Sequence, residues 1–240
     1  FREPTRNSID SVSDRDFAAD FLYSAAIIGV HLSRLSEQLI LFTSAEFGFV
    51  MVDDAYATGS SLLPQKKNPD TLELTRGKSG RLIGNLTGLL ATLKGLPSAY
   101  DKDLQEDKEP IFDAYDTIEL SLQVMAGVIS TMQLRPEKMA ARIVPALFSA
   151  DLADYLVECG VPFREAHEVV GKVVRHAEER GIAIDELSLT ELQTFSTHFT
   201  EGAMGVFDAQ TALMRRKLVG GTAPNALRRQ LQLARSRITQ

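Results

Sequence analysis

Residues 59–68 read GSSLLPQKKN and lie between two long stretches of helical pattern. The segment holds paired serines, paired lysines, a glycine and an asparagine, which is more polar chemistry than a turn requires. Lys66 and Asn68 come just before a predicted helix, whose free N–H groups and dipole attract negative charge. The residues alone allow two interpretations, a connector rich in serine and glycine or a binding site for a carboxylate or phosphate. A nucleotide-binding P-loop has the pattern G-x-x-x-x-G-K-[ST] after a strand. Gly77-Lys78-Ser79 could end that pattern, but Leu72 stands where its first glycine is needed and no strand precedes it, so a P-loop is excluded.

Long helices are predicted on both sides of this segment. Apolar residues recur every three or four positions from Phe17 to Phe42, behind a capping-box pattern at residues 13–16. A second helix is predicted to begin at Asn68-Pro69, with the asparagine as N-cap, and a third at Pro110. The second helix carries several glycines, which we expect to allow close approach of a neighbouring helix; they are Gly77, Gly80, Gly84 and Gly88.

After Leu134 the pattern changes to shorter helices with clear starts and stops, including a second capping-box pattern at residues 188–191. Strand patterns are scarce along the whole sequence. We therefore predict an all-α protein in two parts. Residues 1–131 would form part of a central long-helix bundle that carries the loop 59–69, and residues 132–240 would form a small helical domain.

The composition narrows the classes of function. The 240 residues carry a formal net charge of −6 and one cysteine, Cys159, which excludes a disulfide framework and predicts a small core residue. No uninterrupted apolar run reaches the roughly 18 residues that a membrane span needs, so we expect no membrane contact and a cytoplasmic location. Seven basic residues follow Asp208. They favour a solvated face or one that meets another subunit over a nucleic-acid face; they are Arg215, Arg216, Lys217, Arg228, Arg229, Arg235 and Arg237.

Three blocks of the sequence resemble one family of enzymes. GSSLLPQKKNP at residues 59–69 is similar to the signature G-S-S-x-M-P-x-K-x-N-P of the fumarase/aspartase superfamily, with Leu63 in place of the methionine. SVSDRDF at residues 11–17 and LKGLPSAYDKDLQEDKE at residues 93–109 resemble the argininosuccinate lyase branch, which includes the delta crystallins. The resemblance implies a long-helix bundle and an enzyme of arginine biosynthesis that needs no cofactor or metal.

This family splits argininosuccinate into fumarate and arginine by anti elimination, so the resemblance implies a base, an acid and groups that hold carboxylates. Ser60 would be the base, and Lys66 and Asn68 would hold the carboxylates on the fumarate side. A serine can act as a base only where its alkoxide is stabilised by N–H groups, by positive charge and by exclusion of water. Glu73 matches a position that supports a catalytic histidine; it could equally be a surface carboxylate paired with Arg76 or Lys78.

The other implied site residues bind the arginine part of the substrate. Arg15 resembles a substrate-site arginine, although it could instead be a first-turn residue in contact with Asp14 or Asp16. Tyr100, Gln105 and Lys108 match residues that hold the amino-acid end of that arginine part; the alternative is a solvated polar loop. The four histidines match no catalytic position in the family and are interpreted as structural; they are His31, His167, His176 and His198.

Family members also carry a long N-terminal stretch, with a Thr-His pair expected to supply the acid, that these 240 residues do not contain. Their active sites form where several subunits of a homotetramer meet. We therefore expect this chain to form a homo-oligomer, and to be inactive or nearly so in isolation. Alternatives that stay open are a sibling lyase for adenylosuccinate or aspartate and a non-enzymatic, crystallin-like relative.

Overall fold

A computed structural model describes residues 3–59, 63 and 67–238 of the chain. The chain divides into two units, Phe1–Met139 and Ala140–Gln240. The described residues are mainly helical, which confirms the predicted all-α class. The helices are α1 Ser8–Ser13, α2 Asp16–Thr43, α3 Asp70–Leu93, α4 Lys108–Thr131, α5 Pro136–Ala140, α6 Ser149–Glu158, α7 Phe163–Arg180, α8 Leu189–Phe195, α9 Glu201–Met204, α10 Ala209–Arg215 and α11 Pro224–Ile238.

The described ranges also contain four two-residue strands. They are β1 Val50–Met51, β2 Thr58–Gly59, β3 Lys67–Asn68 and β4 Gln133–Leu134. β1 pairs with β4 and β2 pairs with β3, both antiparallel. Short 3₁₀ helices at Asp54–Tyr56 and Lys102–Asp107 lie just before β2 and α4.

The first unit is built on the three long helices α2, α3 and α4, which all pack against one another. Of the apolar stripe predicted from Phe17 to Phe42, Leu32 and Leu39 are buried, whereas Phe17, Ile28 and Leu35 are exposed. Leu22 is buried on α2 as well, and Leu82 of α3 lies in the same core. The two helices approach closely at Gly29 of α2, where a Cβ atom would lie 2.6 Å from Leu82 Cδ1 and 3.6 Å from Ser79 Cα. Glycine at this position therefore leaves room for the Leu82 side chain between α2 and α3.

Two expectations about the helix starts were wrong. Asn68 is not the N-cap of α3, because it lies in β3 and the helix begins after Pro69 with no side-chain cap. Ser13 does not cap α2 either: it ends the separate helix α1, and Arg15 occupies the N-cap position of α2. Asn68 instead pairs with Thr58 in the β2–β3 ladder, and Ser13 belongs to the last turn of α1.

The prediction for the glycines of α3 was also wrong within this chain. A Cβ atom added at any of the four would meet open space, with no heavy atom within 4 Å among the described residues; they are Gly77, Gly80, Gly84 and Gly88. The core instead meets α3 through residues such as Leu82 and Leu89. The glycines therefore leave part of the surface of α3 bare rather than serving contacts with α2 or α4.

Among the described residues, α2 is long and apolar enough to cross a membrane by length and composition. Core helices of helical bundles meet the same criterion, and eight residues of α2 are buried within the protein. The expectation that the chain makes no membrane contact stays a prediction.

The second unit has its own apolar core of shorter helices. Leu152 and Leu156 of α6 and Val173 of α7 are fully buried in it, together with Phe199. The predicted capping box is confirmed: Ser188 caps α8 and the Glu191 carboxylate accepts from the Ser188 N–H at 2.8 Å. Cys159 was expected in the core but is exposed, because it is the C-cap residue beyond the last turn of α6.

Candidate active site

The described residues at the two ends of the GSSLLPQKKN segment lie in the paired strands β2 and β3. Thr58 pairs with Asn68 and Gly59 with Lys67, so the seven residues 60–66 join two hydrogen-bonded strand ends. Asn68, a predicted carboxylate ligand, is half-buried at the foot of this hairpin. Ser60 and Lys66, the predicted base and its cationic partner, lie outside the described residues.

Side chains tie the foot of the hairpin to the first turn of α3. The Thr71 hydroxyl donates to the carbonyl oxygen of Tyr56 at 2.7 Å. The Thr58 hydroxyl hydrogen-bonds to the Asp70 carboxylate, and Lys67 forms an ion pair with Asp54. These contacts fix where the chain leaves and re-enters residues 60–66, so they set the position of the two ends of the signature segment.

A second polar group of this unit gathers residues from two distant blocks of sequence. Arg15 Nε donates to Asp107 Oδ2 at 2.5 Å across 92 positions of sequence. Lys108 Nζ lies 3.3 Å from Asp107 Oδ1 and donates to Gln105 Oε1 at 2.9 Å. Gln105 Nε2 in turn donates to the Tyr100 hydroxyl. We call these five residues the Asp107 cluster; it brings together Arg15, Tyr100, Gln105 and Lys108, four of the five predicted substrate-binding residues.

Sequence reasoning did not single out Asp107 itself. Its side chain is 9% exposed and lies between the side chains of Arg15 and Lys108. A signal was present in the sequence, because a 3₁₀ helix has three residues per turn and so places Leu104 and Asp107 on one face. Leu104 is buried, and the carboxylate that shares its face is buried beside it. The spacing becomes informative only once this run is known to be a 3₁₀ helix.

Arg15 makes one of the contacts of its alternative interpretation, to Asp14, but through the main-chain oxygen and alongside its bond to Asp107. Its Nη1 donates to the main-chain oxygens of Val12 at 3.3 Å and Asp14 at 2.7 Å, while its Nε is held by Asp107. The Asp14 carboxylate instead accepts from the Asp16 N–H at 2.9 Å. Arg15 therefore joins the turn before α2 to the start of α4.

A cleft of about 180 Å³ lies beside this arginine. Its wall includes Arg15 and residues of the segment that follows α3, among them Pro97 and Ala99. Ala99 has a φ of 79°, in the left-handed region that residues with a Cβ rarely adopt. Strained backbone of this kind is found preferentially at functional sites. Here it immediately precedes Tyr100 of the Asp107 cluster.

The unused hydrogen-bonding groups of the Asp107 cluster are mainly donors. Both carboxylate oxygens of Asp107 already accept from cations. Arg15 retains Nη2, and among the described residues no partner is recorded for it; the Tyr100 hydroxyl, which accepts from Gln105, retains its proton for donation. Lys108 likewise has one N–H beyond its two bonds. Two cations and one anion leave the cluster with a net positive charge, so it suits an anion such as a carboxylate.

The other predicted site residues are not joined to this cluster by contacts between described residues. Glu73 is exposed on α3, and its proposed partner Arg76 forms an ion pair with Glu37 of α2 instead. In the described ranges no group of three or more His, Cys, Asp or Glu side chains is arranged to hold a metal ion.

Comparisons with known proteins match nearly the whole length of the chain. Residues 1–84 match the family described as "Lyase", and residues 147–214 match "Argininosuccinate lyase C-terminal". The argininosuccinate lyase of Roseiflexus sp. (strain RS-1) is 56% identical over 229 residues, which are 95% of this chain and 50% of that protein. The chain thus spans about half the length of the curated relatives it matches.

Solved structures agree with these matches. An EDDS lyase in complex with formate is 28% identical and superposes with a TM-score of 0.86 over 98% of this chain and 49% of its own. A variant of EDDS lyase with bound fumarate gives a TM-score of 0.84 at 26% identity, over 100% of this chain and 50% of its own. By sequence and by fold, the chain belongs to the argininosuccinate lyase family.

Proposed function

We propose that this chain supplies part of the active site of a carbon–nitrogen lyase that cleaves argininosuccinate into fumarate and arginine. The observation that carries the proposal is the Asp107 cluster, in which four residues chosen by family resemblance meet in one hydrogen-bonded group. Two of the sequence blocks that resemble the family, which contain Arg15 and Lys108, meet there through one carboxylate. A solvated polar loop, the alternative for residues 100–108, does not explain a buried acid shared by two cations.

The reaction removes a weakly acidic proton from the carbon beside a carboxylate. Negative charge then develops on that carboxylate, so fixed positive charge and donors around it are the main requirement. In the proposal Ser60 takes the proton, while Lys66 and Asn68 stabilise the developing charge. The hairpin foot at Thr58–Gly59 and Lys67–Asn68 supports this role, since it holds both ends of the segment that carries Ser60 and Lys66.

The Asp107 cluster would bind the other end of the substrate. Its spare donors and net positive charge fit the α-carboxylate of the arginine part better than the α-ammonium, which needs acceptors. Tyr100 and Lys108 are each about half exposed in this chain, so a ligand can reach them from solvent.

The proposal includes an assembly of several copies of the chain. The long helices expose large apolar side chains, including Phe17 on α2, Leu74 on α3 and Phe112 on α4, each more than 60% exposed. The bare glycines of α3 would let a helix of a second copy approach closely, and large apolar surfaces of this kind mark association sites. Light scattering at micromolar concentration tests this; a monodisperse monomer would contradict it.

The activity is tested by following the ultraviolet absorbance of fumarate after adding argininosuccinate to protein of complete natural length. We expect turnover that is lost in Ser60→Ala and retained in Ser61→Ala. Adenylosuccinate and aspartate, supplied in the same assay, test the sibling lyases. If none of argininosuccinate, adenylosuccinate and aspartate releases fumarate, the crystallin-like interpretation is left. The 240-residue chain alone is expected to release little fumarate, because it holds only part of the proposed site.

A further inference from the structure

Asp107 is the one member of its cluster to which the family resemblance gave no role. Its side chain is 9% exposed, and it accepts from Arg15 Nε at 2.5 Å and lies 3.3 Å from Lys108 Nζ. A buried carboxylate that loses its hydration needs such partners, because an unpaired buried charge is strongly destabilising. The dependence also runs in the other direction, since this carboxylate is the one group among the described residues that bonds to both cations.

We propose that Asp107 is a positioning residue: it holds the Arg15 guanidinium and the Lys108 ammonium at a fixed separation, so that together they bind the carboxylate of the amino-acid end of the substrate. This inference rests on the function proposed above. Each oxygen of Asp107 already accepts from a cation and the side chain is buried, so Asp107 acts through the two cations rather than by contact with the substrate.

The geometry explains why a neutral side chain could not replace it. An amide at residue 107 offers one acceptor oxygen, and its NH₂ group would face the second cation. Asp107→Asn would therefore release either Arg15 or Lys108. Lys108 would keep its bond to Gln105 Oε1, and Arg15 would keep its bonds to the main-chain oxygens of Val12 and Asp14. Each cation would remain nearby while its direction and separation from the other would change.

The inference predicts a selective loss of affinity. The amino-acid end lies away from the bond that breaks, so its binding is shared by the ground state and the transition state, and its loss raises KM more than it lowers kcat. For Asp107→Asn we expect the KM for argininosuccinate to rise about tenfold or more, with kcat within about threefold of the original protein. Product inhibition should divide in the same way: inhibition by arginine weakens about tenfold, while inhibition by fumarate is unchanged.

The experiment compares Asp107→Asn, Asp107→Glu and Asp103→Asn in protein of complete natural length. Asp103 is an exposed carboxylate of the same 3₁₀ helix and serves as the matched control, with no expected change. Asp107→Glu keeps the charge, so its KM should lie between those of the original protein and the asparagine variant. KM and inhibition constants do not depend on the fraction of folded protein, so partial loss of folding cannot imitate the result.

Equal weakening of arginine and fumarate inhibition in Asp107→Asn would overturn the inference and assign Asp107 to general stability. So would a KM for argininosuccinate that stays at the original value. If the unaltered protein does not cleave argininosuccinate at all, it is the proposed function that fails. Calorimetric titration of arginine into the unaltered protein and Asp107→Asn then decides the positioning role separately, since equal affinities would refute it.

Discussion

The ring of Tyr56 packs directly on Gly127 of α4, so closely that a Cβ atom at residue 127 would overlap the phenol. Tyr56 ends the 3₁₀ helix before β2, and its carbonyl oxygen accepts from Thr71 of α3. A glycine on one long helix therefore allows a residue beside the hairpin foot to lie against that helix.

Gly127→Ala is expected to displace the Tyr56 ring and to lower the free energy of unfolding by about 1–3 kcal/mol, as overpacking of a core does. Urea unfolding measures the change. The control is Gly171→Ala in the middle of α7, where an added Cβ meets no atom within 4 Å in the described part of the chain. There the same substitution should stabilise by about 0.5–1 kcal/mol through helix propensity. Destabilisation of equal size at both positions would contradict the packing argument.

How much of this structure the sequence could predict depends on the range of the interactions involved. The Ser188–Glu191 box follows from a local four-residue pattern and was predicted correctly. Apolar spacing along α2 correctly predicted a helix but assigned its buried face only in part: Leu32 and Leu39 are buried, whereas Phe17 is exposed. The predicted caps at Ser13 and Asn68 were wrong, because each residue belongs to a different element: Ser13 ends α1 and Asn68 lies in β3.

The candidate site shows the same limit. Family resemblance selected Arg15 and Lys108, but no local pattern indicates that they share a carboxylate. The role of Asp107 depends on a contact across 92 positions and on burial that the folded first unit creates. The prediction for the α3 glycines was wrong for a related reason. Glycines in the sequence indicate that another helix could approach this surface of α3, but only the fold shows whether a helix does so.

Asp151 is a buried acid of α6, and Arg216 Nη1 donates to its Oδ1 at 2.8 Å. Arg216→Met would leave that carboxylate without its cation. We expect a loss of about 2 kcal/mol in the free energy of unfolding, below the value for a fully buried pair because Arg216 itself is partly exposed. Arg215→Met is the matched control: Arg215 pairs with the exposed Glu158, so its removal should cost less than about 1 kcal/mol. Similar losses for the two variants would contradict the role of burial.

Asp113 links α4 to α3, with Arg81 Nε donating at 2.7 Å and Asn85 Nδ2 also at 2.7 Å. The hydrogen bond from Arg81 holds the pKa of Asp113 below its usual value of 3.8. Because the folded-state pKa is depressed, the stabilisation is complete above pH 3.8 and is lost as the pH falls through the lower, folded-state value. It is therefore retained at neutral pH.

We expect Asp113→Asn to be less stable than the original protein by a constant amount between neutral pH and about pH 5, and the difference to shrink in more acidic solution. Urea unfolding at a series of pH values measures it. Asp116→Asn, an exposed position on the same helix, should show no such dependence. A difference that grows as the solution is acidified would have the wrong sign for this pair.

The capping box of α8 can be tested by titration. Several hydrogen bonds lower the pKa of Glu191 to about 2. The bond with the Ser188 hydroxyl contributes most, followed by those with the Ser188 N–H and with Arg180. Ser188→Ala should therefore raise the pKa of Glu191 toward 4.5, as followed by carboxyl NMR. Asp208, whose pKa is lowered by Thr211 at the start of α10, is the internal control and should not move. If the pKa of Glu191 did not change, Arg180 or the Ser188 N–H would be the main cause of its low value.

The hairpin foot and the Asp107 cluster should be separable by their effects on catalysis. The Thr58 hydroxyl binds the Asp70 carboxylate at the strand end that precedes Ser60. Thr58→Val keeps the shape and removes that bond, so the proposed base would be held less accurately while the amino-acid end is bound as before. Because small displacements of reacting groups slow chemistry strongly, we expect kcat to fall about tenfold or more with little change in KM for argininosuccinate. This is the reverse of the pattern expected for Asp107→Asn. Thr194→Val is the control, since its hydroxyl bonds to the main-chain oxygen of Glu191 in its own helix of the second unit. If Thr58→Val raised KM and spared kcat, the division of labour between the two groups would be wrong, and the hairpin would belong to substrate binding instead.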